Sequence, residues 1–418
     1  MATPVTSLSI AVIGAGIVGV SAASYLLRDG HRVTLVDRDG PGEGASKGNA
    51  GAISPGSCVP LAMPGTLAKV PKWLLDPDGP LVVRPSYFPR AAPWLLRFAL
   101  AGREGRVALI ADALRALHAP TFDSYAPLLA NAQAGHLIRR SGCLVVYRSR
   151  KAFEASAREW TMRRERGVRV EAVNGEALRQ MEPALSPALA CGVFLPEHGY
   201  TTDPYRLVKV LADCFVLDGG VFRKAEARAL RARADDGVEL VMADGATTGF
   251  DKVVIAAGAW SGALTATIGL RLPLETQRGY HVTLADAGIA PRIPVASSEG
   301  KFYATPMEGG LRVAGTVEFA GLDAAPDFGR ARRLLVQLKV LYPEARTEPF
   351  SEWMGHRPCF PDSLPVIGPA PGVANVILAF GHGHNGMTSG PVTGRLIADI
   401  VAGRSPPIDL GPYRPDRF

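Results

Sequence analysis

Hydrophobic and polar positions change period twice near the start of the chain. Residues 8–13 are a mostly apolar run of strand length, and residues 20–28 continue as a helix that Gly30 ends. Residues 31–37 form a second short apolar run, which ends on Asp37. This succession predicts a strand, a helix and a second strand, the βαβ unit from which parallel sheets are built.

Apolar runs of strand length recur through the rest of the chain. Five are short and typical of an antiparallel sheet: residues 142–147, 191–196, 279–284, 301–306 and 310–315. Two others, at residues 251–261 and 375–380, indicate buried strands, and a helix is predicted at residues 389–401. The pattern predicts an α/β fold with a second, β-rich unit.

The composition is that of a globular protein with two or three structural units. Of 418 residues, 47% are hydrophobic and 20% are charged, which excludes wholesale disorder and collagen-like repetition. The net charge of +7 suits anionic ligands or an anionic membrane surface without establishing either. The five cysteines are scattered, which is typical of reduced thiols in an intracellular protein.

An uncharged stretch at residues 8–27 is long enough to raise the question of a membrane span. No lysine or arginine precedes it, and its three glycines and three serines dilute its hydrophobicity. We therefore expect a soluble, cytoplasmic protein. Peripheral attachment to the cytoplasmic face of the inner membrane stays open.

The turn after the first apolar run carries the motif G-x-G-x-x-G at Gly14, Gly16 and Gly19. Gly14 permits a tight turn, Gly16 lets a pyrophosphate approach the backbone, and Gly19 allows close helix–strand packing. Asp37 can accept hydrogen bonds from ribose hydroxyls and disfavours a 2′-phosphate, although Arg38 lies beside it. The unit predicts dinucleotide binding at a helix N-terminus, and it does not distinguish FAD from NAD. The alternative is a glycine-rich turn without a ligand.

Residues 44–56 are small, polar and too irregular for a helix. Their pattern, Ala-Ser-x-x-Asn-Ala-Gly-x-x-Ser-Pro-Gly, resembles the second flavin loop of the superfamily of D-amino acid oxidase, glycine oxidase and D-amino acid dehydrogenase. The resemblance implies FAD rather than NAD. It also implies that Ser46 contacts phosphate and that Asn49, Ala50 and Gly51 lie by the flavin ring. The alternative is a surface loop.

Two later segments agree with this resemblance. The strand at residues 251–261 resembles the one that brings small residues to the cofactor, although taken alone it is a buried strand before a turn. The Gly-His-Gly pattern at residues 381–383 precedes a helix whose N–H groups would face negative charge developing on the flavin. The residues implied to bind the cofactor are Gly14, Ala15, Gly16, Ile17, Val18, Gly19, Asp37, Arg38, Ala45, Ser46, Asn49, Ala50, Gly51, Ala52, Ile53, Ala256, Ala257, Gly258, Trp260, Gly381, His382, Gly383, His384, Asn385, Gly386, Met387 and Thr388.

Residues 355–368 resemble the family segment G-x-R-P-x-x-x-D-x-x-P-x-x-G. The matching arginine in relatives binds the substrate carboxylate, and a guanidinium can do so through two parallel hydrogen bonds. We therefore assign Arg357 this catalytic and substrate-binding role; the alternative is a structural arginine paired with an acid such as Asp362. The other residues expected to line the pocket are Tyr280 and Tyr303, which rank first and share the catalytic assignment, and His281, Asn385, Tyr200 and Thr316.

Cys359 and three histidines suggest two further hypotheses. Some sarcosine oxidases of the superfamily attach flavin through a cysteine in this neighbourhood, but Arg357 fills the equivalent place here, so we expect non-covalent FAD. His356, His382 and His384 resemble a metal cluster only superficially, since no acidic or thiol partners stand at ligand spacing. We expect no metal.

Residues 59–106 form an insert rich in proline, tryptophan and basic residues. One interpretation is a lid, or a surface that faces a membrane or a quinone. The other, which we favour, is a helical excursion that packs on the substrate domain. Its characteristic residues are Lys69, Lys72, Trp73, Arg84, Phe88, Arg90, Trp94, Leu95, Leu96, Arg97 and Phe98. Arginines at residues 158–170 and 223–233 alternate with acids and indicate solvated faces, so we expect no nucleic acid.

The resemblance covers nearly the whole chain and implies two interleaved domains. A Rossmann-like FAD-binding domain of the glutathione reductase type would take residues 1–58, 200–265 and 355–418. An inserted α+β substrate domain on a mainly antiparallel sheet would take residues 59–199 and 266–354.

The activity implied is that of an FAD-dependent D-amino acid dehydrogenase. A D-amino acid or a cyclic D-imino acid such as D-hydroxyproline would pass its Cα hydride to flavin N5 and leave an imino acid, which water hydrolyses. Electrons would go to a quinone or another non-oxygen acceptor. The alternatives are a glycine- or sarcosine-type oxidase using O2, the flavin subunit of a multi-subunit dehydrogenase, and an NAD-binding dehydrogenase. The oligomeric state, including a homo-oligomer, stays open.

Overall fold

The computed structural model describes residues 7–65, 81–233 and 236–418. Lys69, Lys72 and Trp73 of the predicted insert lie outside the described residues. The described helices are α1 (Ile17–Arg28), α2 (Phe88–Ala101), α3 (Glu104–His118), α4 (Thr121–Asn131), α5 (Arg150–Ala155), α6 (Ala157–Glu165), α7 (Gly175–Met181), α8 (Pro204–Leu217), α9 (Ser261–Ala266), α10 (Gly329–Leu341) and α11 (Gly386–Val401). The described strands are β1 (Ser9–Ile13), β2 (Arg32–Asp37), β3 (Ala52–Ile53), β4 (Leu81–Val83), β5 (Ile138–Arg139), β6 (Cys143–Tyr147), β7 (Glu171–Asn174), β8 (Cys191–Leu195), β9 (Gly199–Thr201), β10 (Val221–Lys224), β11 (Ala227–Ala232), β12 (Val238–Met242), β13 (Thr247–Phe250), β14 (Lys252–Ile255), β15 (Glu275–Leu284), β16 (Val295–Ser297), β17 (Phe302–Met307), β18 (Gly310–Phe319), β19 (Phe350–Cys359), β20 (Val366–Ala370) and β21 (Val373–Phe380).

A six-stranded sheet in the order β10-β2-β1-β14-β21-β20 forms the first layer. All its strands are parallel except β20, which runs antiparallel to β21. β1 is almost entirely buried, as expected for a parallel strand covered by helices, and α1 packs along α11. The predicted βαβ unit and the Rossmann-like fold are confirmed. The helix begins earlier than predicted, at Ile17, because Gly16 has the extended backbone of an N-cap.

A nine-stranded sheet forms the second layer, in the order β19-β15-β18-β17-β16-β6-β8-β7 with β4 beside β18. Its pairs are antiparallel except β6–β16 and β4–β18, so the mainly antiparallel substrate sheet is confirmed. Successive residues of a strand point their side chains to opposite faces of this sheet. Tyr280, Val282 and Phe302 pack with α10 in a buried core. Gly279 and Tyr303 line a cavity, which Tyr280 and Phe302 also border.

The strands cross one of the boundaries proposed between the domains. β19 runs unbroken from Phe350 to Cys359 and pairs with β15 along its whole length, so residue 355 lies inside a strand of the substrate sheet. Helices α3 and α4, proposed as part of the substrate domain, pack against α11. We therefore propose moving the last boundary to the end of β19 and grouping α3 and α4 with the first layer.

The described part of the insert is a helical excursion on the substrate sheet. β4 pairs with β18, and Trp94 of α2 packs against Phe98 and Phe319 with ring centroids 5.3 and 5.2 Å apart. Phe88 and Leu96 of the same helix are exposed. Within the described ranges no helix is long and apolar enough to cross a membrane, and the uncharged stretch at residues 8–27 is divided between β1 and α1.

Candidate functional site

A cavity of about 1330 Å³ lies between the two layers. It is lined from the first layer by the turn after β1, the end of β2 and the start of α11, and from the second by β15, β17 and β18. Ordinary ligand pockets span roughly 300–1,000 Å³, so this cavity has room for a dinucleotide together with a small substrate.

The three motif glycines have different surroundings. Gly14 has φ +103°, and a Cβ there would lie 2.4 Å from the Ala256 carbonyl oxygen. A Cβ on Gly19 would lie 1.8 Å from the carbonyl oxygen of Gly14. A Cβ on Gly16 would meet only the Ser46 hydroxyl, at 3.4 Å, on the side that faces the cavity. Gly14 and Gly19 are therefore required by packing, whereas Gly16 leaves open a space that fits a pyrophosphate.

Polar groups around this space suit a dinucleotide. The first turn of α1 carries no acidic side chain, and the Ile17 N–H donates to the Ser46 hydroxyl at 3.1 Å. The Asp37 carboxylate lines the cavity and accepts from the backbone N–H groups of Ala15, Asp39 and Gly40 at 2.8–3.0 Å. These bonds fix its position at the end of β2, where a ribose hydroxyl would meet it.

The loop at residues 44–56 is held in place from the substrate sheet. Arg312 donates to the carbonyl oxygens of Lys47 and Asn49 at 3.2 and 2.9 Å, and Thr305 donates to that of Ala50 at 2.8 Å. Burial lowers the pKa of Arg312 to about 10, which leaves it charged at neutral pH. Sequence reasoning missed both residues, because their partners lie more than 250 positions away.

His281 supports the same loop, and its predicted role in substrate binding stays a prediction. Its Nδ1 lies 2.9 Å from the carbonyl oxygen of Gly48, which requires a proton on that nitrogen, and its ring stacks on Trp353 at 5.2 Å. Burial, followed by the charge of Arg312, lowers the pKa of His281 to about 3, so the ring is neutral. His281 is buried and does not line the cavity.

Tyr280 lines the cavity, but its hydroxyl is engaged by groups of the substrate domain, and its predicted role in substrate binding and catalysis stays a prediction. The hydroxyl donates to Glu318 at 2.6 Å and accepts from the Asp327 N–H at 3.0 Å. Burial and the Glu318 bond raise the pKa of Tyr280 to about 12. The side chain also belongs to the buried core beneath α10, and the neighbouring Gly279 lines the same cavity.

Arg357 lies on the cavity side of the sheet, across Gly279. Its Nη1 and Nη2 donate to the carbonyl oxygens of Thr316 and Gly315 at 2.8 and 3.3 Å. Among the described residues no carboxylate pairs with it; Asp362, the acid considered as a structural partner, pairs instead with Arg417 at 2.8 Å. Burial lowers the pKa of Arg357 to about 10, so the guanidinium stays charged at neutral pH.

Tyr303 and Asn385 join Arg357 at the cavity wall. Tyr303 pairs with Ala314, the residue before the carbonyl that accepts from Arg357, and the structure gives its hydroxyl no partner among the described residues. Burial raises the pKa of Tyr303. Asn385 occupies the N-cap position of α11, and its side chain makes no capping hydrogen bond there. Their contact with substrate stays a prediction.

The Gly-His-Gly segment forms a tight connection from β21 into α11. Gly381 and Gly383 have positive φ, and a 3-10 turn at Gly383–Asn385 leads into the helix, which begins at Gly386 rather than near residue 389 as predicted. His382 turns its ring inward, with Nε2 2.9 Å from the Thr393 hydroxyl oxygen. The N-terminus of α11 therefore opens on the cavity while His382 braces the turn.

Cys359 lies beneath this turn. It is buried, and burial raises the pKa of its thiol to about 12, which favours the protonated thiol at neutral pH. His356 lies 3.0 Å from the Thr276 hydroxyl through Nδ1. In the described part of the chain no three His, Cys, Asp or Glu side chains group in a way that could hold a metal ion.

Most of the residues implied to bind the cofactor line the cavity. Five do not: Ala15, Gly19, Gly51, Ile53 and Thr388. Thr388 accepts from the Ser54 N–H at 3.0 Å and so ties α11 to the flavin loop. Tyr200, expected to line the pocket, is buried in the small sheet β3-β9-β5 and does not line the cavity.

Replacing Gly279 with alanine should weaken carboxylate binding without unfolding the protein. A Cβ at residue 279 would lie 2.0 Å from Cζ of Arg357, and a flexible side chain yields more readily than the sheet. We expect the KM for an amino acid substrate to rise by about 10- to 100-fold, the worth of one charge-assisted hydrogen bond. Steady-state kinetics and a melting curve test this. Gly309→Ala is the control, because the space around Gly309 is open; equal KM values for both variants would contradict the expectation.

Comparison with known proteins extends these observations. The family model for DAO, FAD dependent oxidoreductase, matches residues 9–400. The chain is 42% identical over 416 residues to a D-amino-acid oxidase of Bradyrhizobium diazoefficiens, covering 98% of each chain. It is 30% identical to a D-amino acid dehydrogenase of the same organism, covering 98% of this chain and 99% of the other. Glycine oxidase from Geobacillus kaustophilus superposes with a TM-score of 0.74 over 99% of this chain and 100% of its own, at 23% identity.

Proposed function

The chain belongs to the DAO family of FAD-dependent oxidoreductases, and on that premise we propose that it oxidises a D-amino acid or a cyclic D-imino acid and passes the electrons to a quinone or another non-oxygen acceptor. FAD, when bound, supplies the hydride acceptance for this chemistry. The D configuration is taken from the names of the relatives that are 42% and 30% identical.

The observation that carries the proposal is the charged Arg357 guanidinium at the cavity wall, which no carboxylate of the described residues neutralises. Two of its N–H groups donate to backbone carbonyl oxygens, and the remaining N–H groups are available to a ligand. An α-carboxylate is the group that a planar guanidinium binds best, and holding it fixes the direction of the Cα–H bond. Tyr303, on the neighbouring strand, could donate to the same carboxylate.

The groups that hold the cofactor are those already described at the cavity. Gly16 and the N-terminus of α1 would receive the pyrophosphate, Asp37 a ribose, and the N-terminus of α11 the electron-rich edge of the ring. A substrate amine that binds neutral needs no dedicated base, because its proton can leave to water.

An apolar flank of the cavity supports a lipophilic acceptor. Leu61, Phe88, Leu96 and Leu100 line the cavity and are also exposed to solvent, with 37–63% of their surface accessible. Exposed apolar residues at the mouth of a redox site suit a quinone and a peripheral membrane contact. An oxidase that uses O2 is the second candidate, favoured by the name of the 42% identical relative.

A panel of D-amino and D-imino acids, assayed with an artificial dye in the presence and absence of oxygen, tests the proposal. We expect dye reduction with D-substrates and little peroxide. D-proline oxidation with no turnover of D-alanine would favour a cyclic imino acid, and the reverse would exclude it. Peroxide formed in step with substrate consumption would identify the oxidase instead. The purified chain should turn over alone; a requirement for a partner would indicate a subunit of a larger dehydrogenase.

A further inference from the structure

Arginines other than Arg357 also line the cavity, among them Arg163, which an α-carboxylate bound at Arg357 does not use. We propose that Arg163 binds a second anionic group on the substrate, a side-chain carboxylate, so that the preferred substrate is a D-amino acid with an acidic side chain. The proposal rests on the proposed function and narrows its substrate class.

Arg163 lies on α6, at the side of the cavity formed by the substrate sheet. Its only hydrogen bond among the described residues goes to the carbonyl oxygen of Glu159 on its own helix, at 3.3 Å. Its Nε is buried without a partner. Two neighbouring arginines differ: Arg115 pairs with Glu197 at 3.2 Å, and Arg166 pairs with Asp112 at 2.8 Å.

Trp160 holds the guanidinium in position. The Arg163 Cζ lies 4.7 Å from the centre of the Trp160 ring, and the indole N–H is fixed by a 2.9 Å bond to the Tyr147 hydroxyl. Stacking occupies the face of a guanidinium and leaves the N–H groups on its edge available to a carboxylate. A partly buried guanidinium without an anionic partner is costly, and an anionic ligand would remove that cost.

The carboxylates at this end of the cavity do not neutralise Arg163. Glu159 and Glu299 both line the cavity, but neither forms an ion pair with it. One oxygen of Glu299 accepts from the Arg148 N–H at 3.0 Å, and the other is buried without a partner. Neither of these two carboxylates is paired with Arg163, so its charge is available to an anionic ligand.

Tyr303 connects the two arginines. It pairs with Ala314, next to the Gly315 carbonyl that accepts from Arg357. Burial raises the pKa of the Tyr303 hydroxyl, and the positive charge of Arg163 opposes that shift. Arg163, Tyr303 and Arg357 line the same cavity, so one substrate has a guanidinium available for each of two carboxylates. The FAD phosphates would lie at the N-terminus of α1, so they do not account for Arg163.

The test compares acidic D-amino acids with their neutral amides in four forms of the holoenzyme. We expect the wild type to prefer D-glutamate or D-aspartate over D-glutamine or D-asparagine by about 10- to 100-fold in kcat/KM, the worth of a charge-assisted hydrogen bond. Arg163→Gln should abolish this preference, and Arg163→Lys should retain part of it. Arg164→Gln is the matched control, because Arg164 is exposed and lies next to Arg163 outside the cavity lining.

A binding measurement separates recognition from turnover. Glutarate, which has two carboxylates, and butyrate, which has one, are each titrated into the wild type and into Arg163→Gln while the flavin absorbance is followed. Glutarate should bind with a lower Kd than butyrate in the wild type, and the two Kd values should be equal in Arg163→Gln. Equal use of D-glutamate and D-glutamine by the wild type, or an acid preference that survives in Arg163→Gln, would overturn the proposal. In either case other D-amino acids are still oxidised. If no D-amino or D-imino acid is oxidised at all, it is the proposed function that fails.

Discussion

Alanine in place of Arg357 is expected to lower kcat/KM for an amino acid substrate by about 100- to 10,000-fold, mainly through KM. The substitution removes up to two charge-assisted hydrogen bonds to the substrate carboxylate, each worth about 1.5–3 kcal/mol. It also leaves the substrate carboxylate in a largely buried cavity without a counter-charge. Stopped-flow reduction of the flavin at increasing substrate concentration would separate the binding loss from any loss in the hydride-transfer rate.

Two further variants make the test of Arg357 specific. Arg357→Lys keeps the charge but loses the planar fork, so its KM should fall between those of the wild type and alanine. Arg332→Gln is the control, since Arg332 belongs to the outer helix α10 and pairs with the carboxylate of Glu352 at 3.1 Å. A KM that stays at the wild-type value in Arg357→Ala would refute the carboxylate assignment. A melting temperature near that of the wild type would exclude simple unfolding.

The cofactor half of the site could be predicted because its signals are local. The turn at Gly14, Gly16 and Gly19 is specified by backbone requirements within six residues, and the strand and helix on either side follow from apolar periodicity. The helix starts were less accurate. α11 begins at Gly386 because a 3-10 turn at Gly383–Asn385 leads directly into it, and nothing in the periodicity marks that turn.

The substrate half depends on register, which periodicity does not give. Tyr280 and Gly279 are neighbours in sequence, yet only Gly279 faces Arg357. A shift in the pairing of β15 with β18, between Arg278 and Tyr280, contributes to this arrangement. Sequence alone shows that a tyrosine lies on a strand; which face it occupies is decided by pairing with distant residues.

Long-range polar contacts are a second feature that the sequence pattern does not give. His281 reaches the Gly48 carbonyl across 233 positions, and Arg312 reaches that of Asn49 across 263. Arg163 belongs to an arginine-rich stretch that was expected to be a solvated helix face. Its neighbour Arg164 fits that expectation, whereas Arg163 lines the cavity. Neighbouring side chains on a helix point about 100° apart. A charge-rich helix can therefore place one arginine in solvent and the next one at the cavity wall.

Valine at position 16 is expected to yield a folded protein that binds FAD at least about 100-fold more weakly than the wild type. A Cβ on Gly16 meets only the Ser46 hydroxyl, so the protein itself tolerates the added atoms, and the pyrophosphate would not. Loss of a glycine N-cap costs about 1 kcal/mol at most, too little to unfold the chain. Flavin content after purification and a titration of the apoprotein with FAD measure the effect.

Two glycines provide the comparison for Gly16→Val. Gly105→Val adds the same side chain near the start of α3, where the space is open, and should retain full FAD content. Gly14→Ala should instead lower the melting temperature of the apoprotein. Its Cβ would lie 2.4 Å from a backbone oxygen, at φ +103°, a conformation that alanine adopts only with strain. If Gly16→Val purifies with a full complement of FAD, the pyrophosphate does not pass over this residue. If it unfolds as Gly14→Ala does, the space at Gly16 is required by the protein and not by the cofactor.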